Sequence, residues 1–167
     1  MKDRRPKIST AQIVLLAAKV VCLALIVIFI TRQFDTDKES KSDFATVESA
    51  VSSASDLNTM QPGDNLMVKR LYGIDPNAYG GVFFYYPTSN MGAEEVLLVK
   101  YSSPEQKEEI LSAMQKRLDS QLSSFEGYGI EQSAMLKKAV IEAKGGYALF
   151  VSADDPDTVV RAFEGAL

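Results

Sequence analysis

The chain has 167 residues, of which 46% are hydrophobic, and a formal net charge of −4. It contains no histidine and a single cysteine, Cys22. These counts exclude a Ser-His-Asp triad, and they leave neither an imidazole nor a thiolate metal ligand after residue 22. A domain in that part of the chain has no disulfide and must be stable through its hydrophobic core.

An apolar segment follows a basic tip of residues 1–12. Ile13 to Ile30 contains eighteen residues with one charge, and a helix of that length spans roughly 27 Å, close to the thickness of a bilayer core. The segment ends in bulky residues and lacks the small-x-small site of a cleaved signal peptide. Valine precedes Cys22, whereas lipidation of a cysteine requires a small residue there. We therefore predict an uncleaved transmembrane signal anchor at residues 13–31.

The charges on the two sides of this span predict its orientation. The tip has four basic residues and one acidic residue, which is typical of a cytoplasmic N-terminus. The C-terminal domain is then extracellular, in a single-pass protein of the cell membrane. From residue 35 onward there are 21 acidic and 12 basic side chains. This balance argues against nucleic acid as a partner, although solubility alone would explain it.

Lys19 lies inside the predicted span. A lysine at the centre of a bilayer costs roughly 2.5–3.5 kcal/mol on insertion scales. Its aliphatic stem can reach back to the cytoplasmic headgroups, which is the simpler interpretation. Alternatively, Lys19 pairs with an acidic residue in the span of a membrane-protein partner, and the anchor then acts in assembly.

The region after the span is predicted to contain a tether and one domain. Residues 32–43 include the polar run "DTDKESKSD" and are predicted to be a solvated tether, and residues 44–167 are predicted to form the domain. Three helices begin at capping residues: the first after Ser42 or Asp43, the second after Asp64 and the third at Ser103-Pro104. A fourth helix is predicted at residues 130–138, and a fifth begins after Asp155-Pro156.

Strand-like runs occupy residues 82–86 and 95–101, and a hairpin is predicted around Gly145-Gly146. The fold class is therefore α+β, with antiparallel hairpins and packed helices after the transmembrane helix. Two runs have the order strand, strand, proline-started helix. A duplicated ββα unit forming one four-stranded sheet, with helices on one face, fits this order; two independent hairpins fit it equally well.

Catalytic signatures are absent from the sequence. A Ser-Lys pair such as Ser133 and Lys137 has the spacing of two solvated residues on a helix. The acidic groups Glu94-Glu95, Glu108-Glu109 and Asp154-Asp155-Asp157 fit strand entries, first turns of helices and caps. They lack the alternation of a calcium loop. We predict a protein that is not an enzyme and has neither a metal nor a cofactor.

A recognition patch is predicted around the loop "PTSNMGAEE". Its candidate residues are Tyr85, Asn90, Glu95 and Tyr128, and Tyr86 is expected to line the patch beside Tyr85. Asn90 has side-chain hydrogen-bonding groups, the tyrosines offer aromatic surface, and Glu95 enters the following strand. A simple hairpin connection, with Tyr128 buried to dock the loop between two helices, is the alternative interpretation.

The stretches "YYPTSNMGAEEVLLVK", "SFEGYGIEQ" and "AVIEAKGGYALFVSADD" resemble a bacterial domain-of-unknown-function family. The resemblance covers about residues 66–165. Its elements are Asn-Met-x-Ala-x-Glu beginning at Asn90, Phe-x-x-Tyr at Phe125 and Tyr128, and Lys-Gly-x-Tyr beginning at Lys144. Proline often follows the Tyr128 position in the family, whereas this chain has glycine and isoleucine there.

The resemblance implies a short extracytoplasmic protein of clostridia-like Gram-positive bacteria, with one membrane-span or lipoprotein anchor. It implies an accessory role, supplies no catalytic residues, and in some members includes an association with cell-surface acyl-transfer systems. Our first hypothesis is a non-catalytic interaction or assembly subunit of the cell envelope. The alternatives are an extracytoplasmic ligand-binding or sensory module and, more distantly, a carboxylate-dependent glycan hydrolase that uses Glu95.

Overall fold

The computed structural model describes Lys19 and residues 39–167. The described region contains five α-helices: α1 (Phe44–Ala54), α2 (Asn65–Tyr72), α3 (Pro104–Phe125), α4 (Ile130–Leu136) and α5 (Pro156–Ala166). It also contains five strands: β1 (Met60–Pro62), β2 (Gly81–Pro87), β3 (Glu95–Lys100), β4 (Val140–Lys144) and β5 (Tyr147–Ser152). Two short 3₁₀ helices lie at Leu57–Thr59 and Pro76–Ala78.

The five strands form one antiparallel sheet in the order β1-β2-β3-β5-β4. The two hairpins predicted from the sequence are joined through their second strands, so that Glu95 lies opposite Ser152 and Lys100 lies opposite Tyr147. Both central strands are buried along almost their whole length because helices cover both faces of the sheet.

Each face of the sheet has its own hydrophobic core. On one face, α2 and α3 cover Phe84, Leu97 and Phe150. On the other face, α1 and α5 cover Phe83, Leu98 and Leu149. The alternation of strand side chains therefore divides neighbouring residues between two cores. The described region is an α/β/α sandwich of α+β type.

The helix starts follow the predicted capping chemistry. Asp43, Asp64, Ser103 and Asp155 each accept a hydrogen bond from a backbone N–H in the first turn of their helix. Gly73 ends α2 with a φ of 73°, and Gly145 and Gly146 have φ values of 63° and 86° in the β4–β5 turn. Only glycine adopts such angles without strain, so both turns confirm the sequence interpretation.

Two parts of the predicted fold are wrong. The sheet has a fifth strand, β1, which the sequence hides because three residues ending in proline look like a loop.

The helices also lie on both faces rather than on one. If the two ββα runs were symmetric copies, a two-fold axis would exchange the antiparallel strands β3 and β5. Such an axis is perpendicular to the sheet, so the helices that follow these strands, α3 and α5, would lie on the same face. They lie on opposite faces, so the two ββα runs are not symmetric copies.

Residues 39–43 were predicted to belong to the solvated tether, and the structure places them against the domain. Ser40 N–H donates to the carbonyl of Gly145 over 2.9 Å, and Ser40 Oγ donates to the carbonyl of Leu167 over 2.7 Å. Tyr147 Oη donates to the carbonyl of Ser42 over 2.8 Å. Residues 40–42 therefore already contact the domain that was predicted to start at residue 44.

The predicted cytoplasmic tip and signal anchor lie outside the described residues, apart from Lys19. Lys19 is helical and exposed. None of the helices among Lys19 and residues 39–167 has the length and apolar character needed to cross a membrane.

Candidate functional site

A buried ion pair marks one end of the sheet. Glu95 is the first residue of β3, and none of its surface is accessible. Arg117, on the facing side of α3, donates to both of its oxygens, from Nε to Oε1 over 3.1 Å and from Nη2 to Oε2 over 2.7 Å. The fork of the guanidinium matches the carboxylate, which is the strongest geometry for such a pair.

Tyr72 and Gln121 complete the coordination of the Glu95 carboxylate. The Tyr72 hydroxyl donates to Oε1, and Gln121 Nε2 donates to Oε2 over 2.9 Å. Glu95 thus accepts four hydrogen bonds from three side chains, which come from α2 and α3. This number of donors compensates for the removal of the carboxylate from water. We call Tyr72, Glu95, Arg117 and Gln121 the Glu95 cluster.

Electrostatics in the Glu95 cluster favour the ion pair. Burial acts to lower the pKa of the Arg117 guanidinium, but the hydrogen bonds and the charge of Glu95 outweigh burial and raise this pKa. Burial, together with the charge of Glu95, raises the pKa of the Tyr72 hydroxyl well above its usual value. The tyrosine therefore stays protonated and keeps donating its hydrogen bond.

A groove of about 350 Å³ lies above the cluster. Its wall combines the C-terminal half of α3, the exposed side of α2 and the loop after β2. Arg117 and Gln121 contribute to it, so the ion pair and the groove share two residues. Other polar and aromatic lining residues are Gln61, Arg70, Tyr86, Asn90, Phe125 and Tyr128. The volume is within the range of small-ligand sites.

One buried acceptor atom of a groove-lining residue has no partner. Gln121 is 5% exposed, and its Oε1 makes no hydrogen bond with the part of the chain that the structure describes. Its amide cannot turn over without losing the bond from Nε2 to Glu95. A buried unpaired acceptor costs about 1–3 kcal/mol, and because Oε1 has almost no accessible surface, a ligand in the groove does not reach it.

The structure places the four predicted patch residues in three environments. Asn90 and Tyr128 line the groove, and Tyr128 is 62% exposed rather than buried between helices. Glu95 lies beneath the groove and is covered by its three partners in the cluster. Tyr85 points to the opposite face of the sheet, where its ring packs 5.1 Å from that of Phe83. Its neighbour Tyr86 lines the groove instead, because successive strand residues alternate between faces.

Sequence reasoning missed Arg70, Tyr72, Arg117 and Gln121. A signal for two of them was present in α3. Arg117 and Gln121 continue the helical spacing of Ile110 and Met114 towards Phe125, so they are long polar residues at positions of the buried stripe. Polar residues at such positions indicate a buried partner of complementary charge.

The other carboxylates do not form a comparable site. A second groove, of about 280 Å³, is bordered by Asp56, Glu94, Asp154 and Asp155. Asp155 is used as a helix cap, and Glu94 accepts a hydrogen bond from the backbone of Ala93. Among the residues that the structure describes, no group of three or more acidic or cysteine side chains is arranged to hold a metal ion.

Comparison with known proteins adds one finding. The profile of a family described as "Domain of unknown function (DUF4358)" matches residues 53–153. No curated protein and no solved structure matches the chain significantly. The matched region is more than half of the chain and includes the whole sheet, the Glu95 cluster and the groove. The chain therefore belongs to the DUF4358 family, a family of domains of unknown function.

Proposed function

We propose that this protein is a membrane-anchored extracytoplasmic binding protein without catalytic activity, and that the groove above the Glu95 cluster is its binding site. The observation that carries the proposal is a groove of about 350 Å³ whose floor is held by the Glu95–Arg117 ion pair and whose wall carries the exposed Arg70, which makes no ion pair with the described residues. Such a floor is rigid before a ligand arrives, so little conformational freedom is lost on binding.

A binding role fits the chemistry of the groove better than catalysis. Glu95 has no accessible surface and both of its oxygens are engaged, so it is not placed to act on a glycosidic bond. Two carboxyl groups facing a shared cleft, as glycoside hydrolysis requires, are not found among the residues lining this groove. The hydrolase hypothesis is therefore less well supported than the ligand-binding hypothesis and the assembly hypothesis.

The position of the tether supports an accessible groove. The chain enters the domain at Ser40, beside Gly145 and the end of β3 at Lys100. The groove lies beyond Glu95, at the other end of the same strand, which is roughly 17 Å away for five strand rises. The groove is therefore at the opposite end of β3 from the point where the described chain enters the domain.

The assembly hypothesis concerns a different part of the molecule. It rests on Lys19 in the predicted span, and it is compatible with ligand binding by the domain. It predicts a membrane-protein partner that is recovered by crosslinking with the parent chain and lost with Lys19→Leu.

The proposed site can be tested by photo-crosslinking in cells. A photoreactive phenylalanine analogue replaces Ser124, an exposed residue that lines the groove, in the full-length chain. The matched control carries the analogue at Ser49, an exposed helical serine on the opposite face of the sheet. We expect an adduct at position 124 that is absent at position 49, detected as a mass increase of the purified protein.

Mass measurement detects small ligands and macromolecules alike, so it does not depend on the identity of the occupant. Equal labelling at both positions, or no adduct at position 124, would contradict a binding role of the groove.

A further inference from the structure

The groove differs in charge from the rest of the domain. From residue 39 onward the chain has 19 acidic and 11 basic side chains. The residues lining the groove nevertheless include two arginines, Arg70 and Arg117, and no aspartate or glutamate. Glu95 neutralises Arg117 from below, which leaves the charge of Arg70 uncompensated at the groove wall. A local positive site on an acidic domain favours an anionic ligand.

Arg70 is available to such an anion. It lies in α2, it is exposed, and it makes no hydrogen bond or ion pair with the residues that the structure describes. A guanidinium presents parallel donors that match the two oxygens of a carboxylate. Arg117 uses Nε and Nη2 for Glu95, so its Nη1 donors remain for the groove.

The remaining polar groups of the groove accept as well as donate hydrogen bonds. Asn90, an exposed residue of the lining, offers an amide with both kinds of group. Hydroxyl groups, which are donors and acceptors at once, satisfy such a mixture. Tyr128 adds a largely exposed ring, held 5.9 Å from the ring of Phe125, against which a flat apolar face can pack.

We infer that the groove binds an acidic sugar, that is, a hydroxylated ring that carries a carboxylate. In this arrangement the carboxylate binds Arg70, a ring hydroxyl forms a hydrogen bond with the amide of Asn90, and the ring lies against Tyr128. The inference rests on the proposed function, because it names the ligand class of the same site. A short acidic peptide is the competing class and is one of the outcomes of the test.

The test is calorimetric titration of the full-length protein in detergent with glucuronate, galacturonate and N-acetylmuramate, each at millimolar concentration. Glucose and acetate serve as probes of the ring and of the carboxylate alone. We expect at least one acidic sugar to bind about tenfold or more tightly than glucose and acetate. Its affinity should fall as salt is added.

Two variants of α2 form a matched pair. Arg70→Gln removes the groove cation, and Lys69→Gln removes the same charge from an exposed neighbour that does not line the groove. Arg70→Gln should weaken binding of the acidic sugar about tenfold, and Lys69→Gln should change it less than twofold. Unchanged thermal unfolding of both variants would show that the fold is intact.

The outcomes separate the ligand class from the proposed function. Failure of all three acidic sugars, together with a crosslinked adduct at position 124, would overturn the sugar class and leave the binding function standing. An adduct identified as a peptide would also overturn the sugar class and leave the binding function standing. Equal affinity for glucose, or equal losses in the two variants, would overturn the role of Arg70. Absence of both binding and adduct would reject the site itself.

Discussion

The buried carboxylate of Glu95 connects the stability of the domain with its candidate site. Its partners Tyr72, Arg117 and Gln121 come from two helices that pack on one face of the sheet. The same contacts fix Arg117 and Gln121 at the floor of the groove. Replacing one member of the cluster therefore affects both folding and the shape of the site.

Glu95→Gln should destabilise the domain strongly. The change removes the charge that compensates the mostly buried guanidinium of Arg117, and loss of one partner of a buried pair costs about 3–5 kcal/mol. Glu108→Gln, at an exposed position in α3, should change the free energy of unfolding by less than about 0.5 kcal/mol. Both values follow from chemical denaturation monitored by circular dichroism.

The double variant Glu95→Gln/Arg117→Met provides the diagnostic comparison, because the amide oxygen of glutamine can still accept the hydrogen bond from Tyr72. It removes both charges together, so it should be clearly more stable than Glu95→Gln. A double variant as unstable as Glu95→Gln would show that lost packing, and not the uncompensated arginine, explains the effect.

At the scale of elements, the helices α1 and α5 each begin at an aspartate cap whose carboxyl group has a lowered pKa. The side chain of Asp155 accepts hydrogen bonds from the Thr158 hydroxyl over 2.5 Å and from the Thr158 N–H over 3.4 Å. The hydroxyl bond, followed by the backbone bond, lowers the pKa of the Asp155 carboxyl. Asp43 at the start of α1 has a lowered pKa for the same reason, its hydrogen bonds to Thr46.

Asp155→Asn should reduce the acid sensitivity of the domain. Because the folded state lowers the pKa of Asp155, its stabilisation is fully present above the unfolded pKa of about 3.9 and is lost as pH falls through the folded pKa. Asparagine keeps a capping oxygen but does not titrate in this range. The difference in unfolding free energy between parent and variant should therefore shrink between about pH 5 and pH 2.

Thermal unfolding as a function of pH measures this difference, and Asp157→Asn is the control because Asp157 lies in the same first turn but is not the cap. A parent-to-variant difference that stays constant over the whole pH range would contradict the capping account.

At the scale of the whole molecule, the sheet separates residues 40–42, where the described chain enters the domain, from the groove. Residues 40–42 are bound to the β4–β5 turn and to the last carbonyls of α5, at one end of the central strands. The Glu95 cluster lies at the other end. A short link to a membrane is therefore compatible with an open groove.

The proposed extracellular location predicts which cysteine variants can be labelled. Cys22 is the single native cysteine and lies in the predicted span. In a Cys22→Ser background, Ser49→Cys and Ser124→Cys should both react with a membrane-impermeant maleimide on intact cells, because both positions are exposed. A cytoplasmic thiol of a resident marker protein is the control for cell integrity. Reaction only after permeabilisation would contradict the location.

The sequence by itself determined most elements and their ends. Capping residues, first-turn prolines and paired glycines act within a few residues, so their effects do not depend on distant parts of the chain. Two residues of the predicted patch, Asn90 and Tyr128, line the groove, and their role in recognition stays a prediction. The α+β class followed from the same local signals, and the resemblance to a domain-of-unknown-function family agrees with the matched profile.

Only the tertiary structure decided how the hairpins join, which face each helix covers and what Glu95 contacts. Tyr72 and Arg117 are 23 and 22 residues away from Glu95 along the chain, and no local pattern links residues at such separations. Whether Tyr85 or Tyr86 faces the groove depends on the strand register, because a shift of one residue would exchange the two faces of the strand. The groove arises from three segments that packing alone brings together, which is why its positive wall is invisible in an acidic sequence.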